Sequence, residues 1–287
     1  MKKIDLYNSG DKKVKTPFRY AGGKHYALKH LLPYLAMIQH DEYREPFVGG
    51  GSVFFGKPKV KENWINDIDP ELINTYKIIQ HPVKHKRLIK LLENETATPA
   101  RHTQVKKSEP RGEMNRAFKY FYLNRTSYSG IMKKPAWGYN DEKSSPPRNW
   151  GAMIVNANEK LRGVKITSLD FTEVLLSPSS RKILFYLDPP YFEADQKRAY
   201  KNHFTLDDHI RLSKALKKCK HSFILSYDNI TAVKEVYNWA TIIELTWNYN
   251  TSNIKNTERI KGREIIITNI PFSTLEAQID CTLRLLV

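Results

Sequence analysis

The stretch Ile183-Leu184-Phe185-Tyr186-Leu187-Asp188-Pro189-Pro190-Tyr191 decides the fold. Apolar residues from 183 to 187, with no polar alternation, predict a strand buried on both faces of a parallel sheet. An acid directly after such a strand lies where open α/β sheets hold their ligands. Downstream, Thr205-Leu206-Asp207-Asp208 reads as a capping box opening a helix that runs to about Lys220. Residues 223–226, 241–246 and 265–270 supply three further strands. Upstream, Trp64-Ile65-Asn66-Asp67-Ile68-Asp69 reads as a short strand ending in acids, and Pro70 as the first turn of a helix. Leu28, Leu31, Leu32, Leu35 and Ile38 repeat at helical spacing across residues 24–39. Strands alternating with helices predict the α/β class with an open sheet.

The alternation lapses between residues 80 and about 160, where basic residues are interleaved with Phe118, Tyr120, Phe121, Tyr122, Tyr128, Trp137, Tyr139 and Trp150. Residues 80–159 therefore read as an insert with its own task, set into a body made of 1–79 and 160–287. Lys and Arg number 47 against 30 Asp and Glu, a net charge of +17 in 287 residues. A field of that sign attracts phosphate polyanions, and without a basic amphipathic anchor nucleic acid is favoured over lipid. No apolar run approaches the ~18 residues of a membrane span. Cys219 and Cys281 are too few for a disulfide scaffold or a cysteine zinc site, so no metal is expected. The charged start Met1-Lys2-Lys3-Ile4-Asp5 does not read as a secretory signal, and a reducing cytoplasm is the expected compartment.

Each of four segments offers chemistry. In Asp188-Pro189-Pro190-Tyr191 the prolines stiffen the backbone and leave carbonyls free to accept. A carboxylate and a carbonyl beside an aromatic face suit an exocyclic amine on a flat heterocycle; a capped strand end is the bland alternative. In Glu45-Pro46-Phe47-Val48-Gly49-Gly50-Gly51-Ser52 the glycines permit close backbone approach to a ligand. A full dinucleotide fingerprint and a Walker lysine are both missing, which favours a nucleoside over a phosphate there. Asp67 can bridge ribose hydroxyls, or serve the turn before Pro70. In Phe18-Arg19-Tyr20-Ala21-Gly22-Gly23-Lys24, the lysine can pair with the carboxylate of an amino-acid moiety.

In this order the four segments resemble the Dam-type (D12 class) DNA adenine-N6 methyltransferases, as do Phe121-Tyr122-Leu123-Asn124-Arg125 and Glu264-Ile265-Ile266-Ile267-Thr268-Asn269. The resemblance implies S-adenosyl-L-methionine as methyl donor. It also implies a class I methyltransferase fold, a Rossmann-like mixed sheet, with a mainly helical target-recognition insert. Catalysis would then rest on Asp188, Pro189, Pro190 and Tyr191. The donor would lie against Tyr20, Ala21, Gly22, Gly23, Lys24, Glu45, Pro46, Phe47, Gly49, Gly51, Ser52, Asp67, Ile68 and Asp188, with its adenine near Ser168-Leu169-Asp170-Phe171. Tyr20 stands where many relatives carry tryptophan. Thr126-Ser127-Tyr128-Ser129-Gly130 departs from the best-known GATC enzymes, so the resemblance assigns no recognition sequence.

The expected partner is double-stranded DNA, bound by a monomer whose target adenine leaves the helix. A cognate restriction endonuclease acting separately is a further expectation. Within the insert, Arg125, Lys133, Lys134 and Arg148 are candidates for guanine edges and Asn124, Asn140 and Asn149 for adenine, with Arg125 and Tyr128 foremost. Ribosomal RNA methylation, cytosine-N4 methylation and a DNA-binding module without catalysis are the rival readings.

Overall fold

A computed structural model describes residues 14–20, 27–192, 204–248 and 261–274. Its centre is a seven-stranded sheet of β1 (Glu42–Glu45), β2 (Glu62–Asn66), β3 (Lys165–Thr167), β4 (Ile183–Leu187), β5 (Ser222–Asp228), β6 (Thr241–Asn248) and β7 (Lys261–Thr268). The strands lie in the order β3-β2-β1-β4-β5-β7-β6. All neighbours are parallel except β7, which runs antiparallel to both β5 and β6. This is the open, mixed α/β sheet expected from the sequence.

Period-two alternation divides the core into two layers. On one face Leu184 and Tyr186 of β4, with Tyr43, Ile65 and Ile224, meet the helices α1 (Leu28–Met37), α2 (Ser52–Gly56) and α3 (Pro70–Gln80). On the other, Ile183, Phe185 and Leu187 meet α8 (Phe171–Leu176), α9 (Leu206–Lys218) and α10 (Thr231–Val236). Asp69 caps α3 by accepting from the Glu71 N–H at 3.0 Å, with Pro70 in the first turn. Thr205 and Asp208 form the expected capping box of α9.

Between α3 and β3 run α4 (Lys84–Leu92), α5 (Pro99–Lys107), α6 (Glu113–Thr126) and α7 (Trp150–Leu161). Their aromatics largely serve packing: Phe121, Tyr122 and Trp150 are fully buried in the first core layer. The entry and exit of this segment are stitched together. Gln80 Nε2 donates to the carbonyls of Leu161 (2.8 Å) and Val164 (2.6 Å), and Asn158 Nδ2 to those of Ile79 (2.8 Å) and Gln80 (3.0 Å).

Two strands escape the sequence pattern. β1 is Glu-Tyr-Arg-Glu, yet every residue is buried. Arg44 donates to Glu42 at 2.6 Å and to the carbonyls of Val174 (2.9 Å) and Ser177 (2.6 Å), and its guanidinium lies 4.9 Å from the Trp64 ring centroid. Fully paired charge of this kind can be buried where an isolated charge cannot. β3, with only three residues, is too short to show a period.

Candidate active site

The sheet's strand order reverses between β1 and β4, and the connections leave these neighbours in opposite directions. Such a reversal opens a crevice at the carboxyl ends of the strands. Glu45 ends β1, Asn66 precedes Asp67 at the end of β2, Thr167 precedes Ser168 at the end of β3, and Leu187 precedes Asp188 at the end of β4. Three of the four sequence-selected segments, together with the stretch from Ser168 that the resemblance adds, thus emerge at the carboxyl ends of neighbouring strands.

After β1 the chain turns through Pro46 and Phe47 into the glycines. The Gly51 N–H donates to the Val48 carbonyl at 2.7 Å, and Gly49 and Gly51 hold positive φ of 46° and 72°. A Cβ on Gly50 would stand 2.7 Å from that of Tyr20, so the missing side chain is what lets Tyr20 lie on the turn. Thr16 fastens the same arm by donating to the Gly50 carbonyl, and Phe18 is buried edge-on against Tyr76 at 4.9 Å. Ser52 opens α2. Ala21, Gly22, Gly23 and Lys24 lie outside the described residues.

Asp67 is half-buried and accepts from the N–H groups of Gly49 (2.9 Å) and Asp69 (3.0 Å). Burial nevertheless outweighs these bonds and pushes its carboxyl up to about 6. Ile68 beside it is an exposed apolar side chain. Asn66, which the sequence reading passed over, knits the loops together. Its amide donates to the carbonyls of Pro46 (3.0 Å) and Leu169 (2.9 Å) and accepts from the Leu169 N–H (2.9 Å) and the Thr167 hydroxyl (2.7 Å). Its only advance signal is a polar residue directly before the acid that follows β2.

Asp170 caps α8 and pairs with Arg211 at 2.8 Å, so this carboxylate serves the fold locally. Phe171 is buried 5.4 Å from the Phe47 ring. Glu45 is 2% exposed and accepts from the Tyr43 hydroxyl at 2.7 Å. Burial first, with the Asp188 charge adding to it, raises its carboxyl to about 8. Asp188 itself is half-buried and accepts from Ser226 Oγ at 3.2 Å. Pro189 is buried, Pro190 and Tyr191 are half-buried, and the Tyr191 ring lies 5.9 Å from Tyr227.

In the segment after α6, Tyr128 is 58% exposed on the short 3-10 turn Tyr128–Gly130. A hairpin-like pairing supports it: the Tyr128 N–H donates to the Ala136 carbonyl (2.8 Å) and the Gly138 N–H to that of Thr126 (3.0 Å). Lys134, Asn140, Arg148 and Asn149 are exposed and Lys133 is half-buried. Asn124 and Arg125 differ from the expectation. The last turn of α6 faces inward, leaving Asn124 fully buried and Arg125 8% exposed. Burial first, then the neighbouring Arg19, lowers the Arg125 guanidinium to about 10, and its Nε has no partner. Neither side chain is presented for base reading in this arrangement.

A family model described as D12 class N6 adenine-specific DNA methyltransferase matches residues 20–251. The type II methyltransferase M1.LlaDCHI of Lactococcus lactis subsp. cremoris is 29% identical over 281 residues, covering 88% of this chain and 95% of that protein. The type II methyltransferase M.MjaIII of Methanocaldococcus jannaschii is 28% identical, covering 71% and 80% respectively. A DNA adenine methylase of Vibrio cholerae is 24% identical, covering 80% and 87%.

Proposed function

Because this chain belongs to the D12 class of N6 adenine-specific DNA methyltransferases, we propose that the crevice between β1 and β4 is where an adenine swung out of duplex DNA meets S-adenosyl-L-methionine. When bound, this donor supplies a methyl group on a positively charged sulfur. The residues present fit it. Asp67, held by two backbone N–H groups, is an acceptor for ribose hydroxyls, and Ile68 offers an apolar surface for its adenine. The turn from Glu45 to Ser52 and the Tyr20 ring line the same end, with Lys24 as partner for the donor's carboxylate. Phe171 packs behind Phe47, and Asp170 braces that wall through Arg211.

Asp188 and the Pro189 carbonyl accept from the target amine, and Pro190 keeps this corner stiff. Accepting both N–H bonds draws the nitrogen lone pair out of conjugation with the ring. Tyr191 stacks on the base. Acceleration then comes from alignment and from acceptors already in place.

Residues 80–159 act as the recognition insert on the catalytic body of 1–79 and 160–287. Tyr128, Lys133, Lys134, Asn140 and Arg148 supply its DNA contacts, while Arg125 supports the loop from within. The protein works as a monomer in the cytoplasm. The type II methyltransferases among its relatives favour a separate cognate endonuclease as its counterpart.

The observation that carries this reading is Asp188 at the carboxyl end of β4, fixed by Ser226 at 3.2 Å beside the strand-order reversal. Asp188→Ala is expected to lose N6-methyladenine formation by at least a thousandfold with its melting temperature nearly unchanged, as read by nucleoside analysis of treated DNA. Methylation at near wild-type rate would refute the assignment.

A further inference from the structure

We propose that Ser226 and Tyr186 position the Asp188 carboxylate for methyl transfer, as a two-link chain of hydroxyl donors. The inference rests on the role given to Asp188 above. It concerns two side chains to which neither the motif nor the family resemblance assigns a task.

The register of β4 and β5 creates the arrangement. Leu187 pairs with Leu225, so the next residues in each strand, Asp188 and Ser226, come side by side. Tyr186 precedes Asp188 by two and shares its face of the sheet. Ser226 is 1% exposed, and its Oγ lies 3.2 Å from Asp188 Oδ1, 3.3 Å from the Leu187 carbonyl and 2.8 Å from the Tyr186 oxygen.

Donor accounting fixes the direction. An ionised carboxylate and a carbonyl can only accept, so the single proton of Ser226 goes toward Asp188 and Leu187. Tyr186 must then be the donor to Ser226. Its phenol is suited to this, because burial first and the Asp188 charge second hold it firmly protonated. The chain runs from the buried face of the sheet to the acid, and each hydroxyl polarises the next. It fixes which way the carboxylate faces.

The test is steady-state kinetics of the full chain on duplex DNA with Ser226→Ala, Ser226→Thr and Tyr186→Phe. Losing one hydrogen bond to a charged acceptor corresponds to about a 10- to 100-fold fall in rate. Ser226→Ala is expected to lower kcat by that factor, with KM for donor and DNA within about twofold of wild type. Ser226→Thr keeps the hydroxyl and restores most of kcat, and Tyr186→Phe gives a smaller fall in kcat. Should Ser226→Ala fail to fold, the threonine and phenylalanine variants carry the same comparison. A kcat unchanged in Ser226→Ala, threonine as impaired as alanine, or a loss lying in KM would overturn the proposal. Asp188→Ala separates the two claims: an active Asp188→Ala removes the reading of the site, whereas an inactive one beside a normal Ser226→Ala removes only this inference.

Discussion

Asp67 gives the site its pH signature. An acid that accepts from ribose hydroxyls must be ionised, and burial has raised this one to about 6. Below that value a proton has to leave before the donor binds. Affinity for the methyl donor is therefore expected to fall by up to about tenfold per pH unit below about 6 and to be flat above it. Calorimetry between pH 5 and 8 measures this, and Asp67→Asn is expected to bind weakly with no such slope. A wild-type affinity independent of pH would remove Asp67 from the donor site. Asp67 and Asp188 were legible in the sequence because each follows a stretch that reads as a strand, and strand ends are where open α/β sheets place chemistry. Asn66 and Ser226 were not legible. Each is a polar residue inside or ending a strand, and its meaning depends on loops and neighbours that only the folded sheet brings together.

At the scale of elements, α6 shows how burial overrides a local reading. Its closing Asn124-Arg125 looks like a pair of base readers among basic neighbours. In the fold the Asn124 amide instead clasps the main chain of Arg19, accepting from its N–H at 2.8 Å and donating to its carbonyl at 2.7 Å, with the Gly130 carbonyl a further acceptor at 3.2 Å. Gly130 has no Cβ because the Arg19 backbone occupies that space. Asn124 therefore joins the Tyr20 arm to the loop that carries Tyr128. Asn124→Ala takes the partner from three backbone groups, the buried Gly130 carbonyl and the part-buried N–H and carbonyl of Arg19, and is expected to destabilise by about 3 kcal/mol. That corresponds to a fall in Tm of roughly 6–12 °C, measurable by thermal melting. A Tm within 2 °C of wild type would show the clasp to be dispensable. The long apolar strands and capped helices were readable from pattern alone. β1 was not, since a central strand of charged residues becomes plausible only once Glu42, Arg44 and the Val174 and Ser177 carbonyls are seen to satisfy one another.

For the whole molecule, the sheet with helices on both faces fixes one crevice, and the charge of +17 brings DNA to it. Lys86, Arg87, Lys90, Lys106 and Lys107 are exposed on the helices between α3 and β3, and Arg111 on the loop before α6. Among the described residues no helix is long and apolar enough to cross a membrane. If the basic surface neutralises about six phosphates, log K for duplex DNA should fall against log salt with a slope near −5. Fluorescence anisotropy from about 50 to 200 mM salt measures it, and a slope shallower than about −2 would contradict a phosphate-tracking surface.

The most direct test of the central claim is a crystal structure of the chain with S-adenosylhomocysteine and duplex DNA containing its methylation site. The expected result is an adenine turned out of the helix against Tyr191, its amine nitrogen within hydrogen-bond reach of Asp188 and the Pro189 carbonyl. An adenine still stacked in the duplex, or bound with its amine away from Asp188, would contradict it.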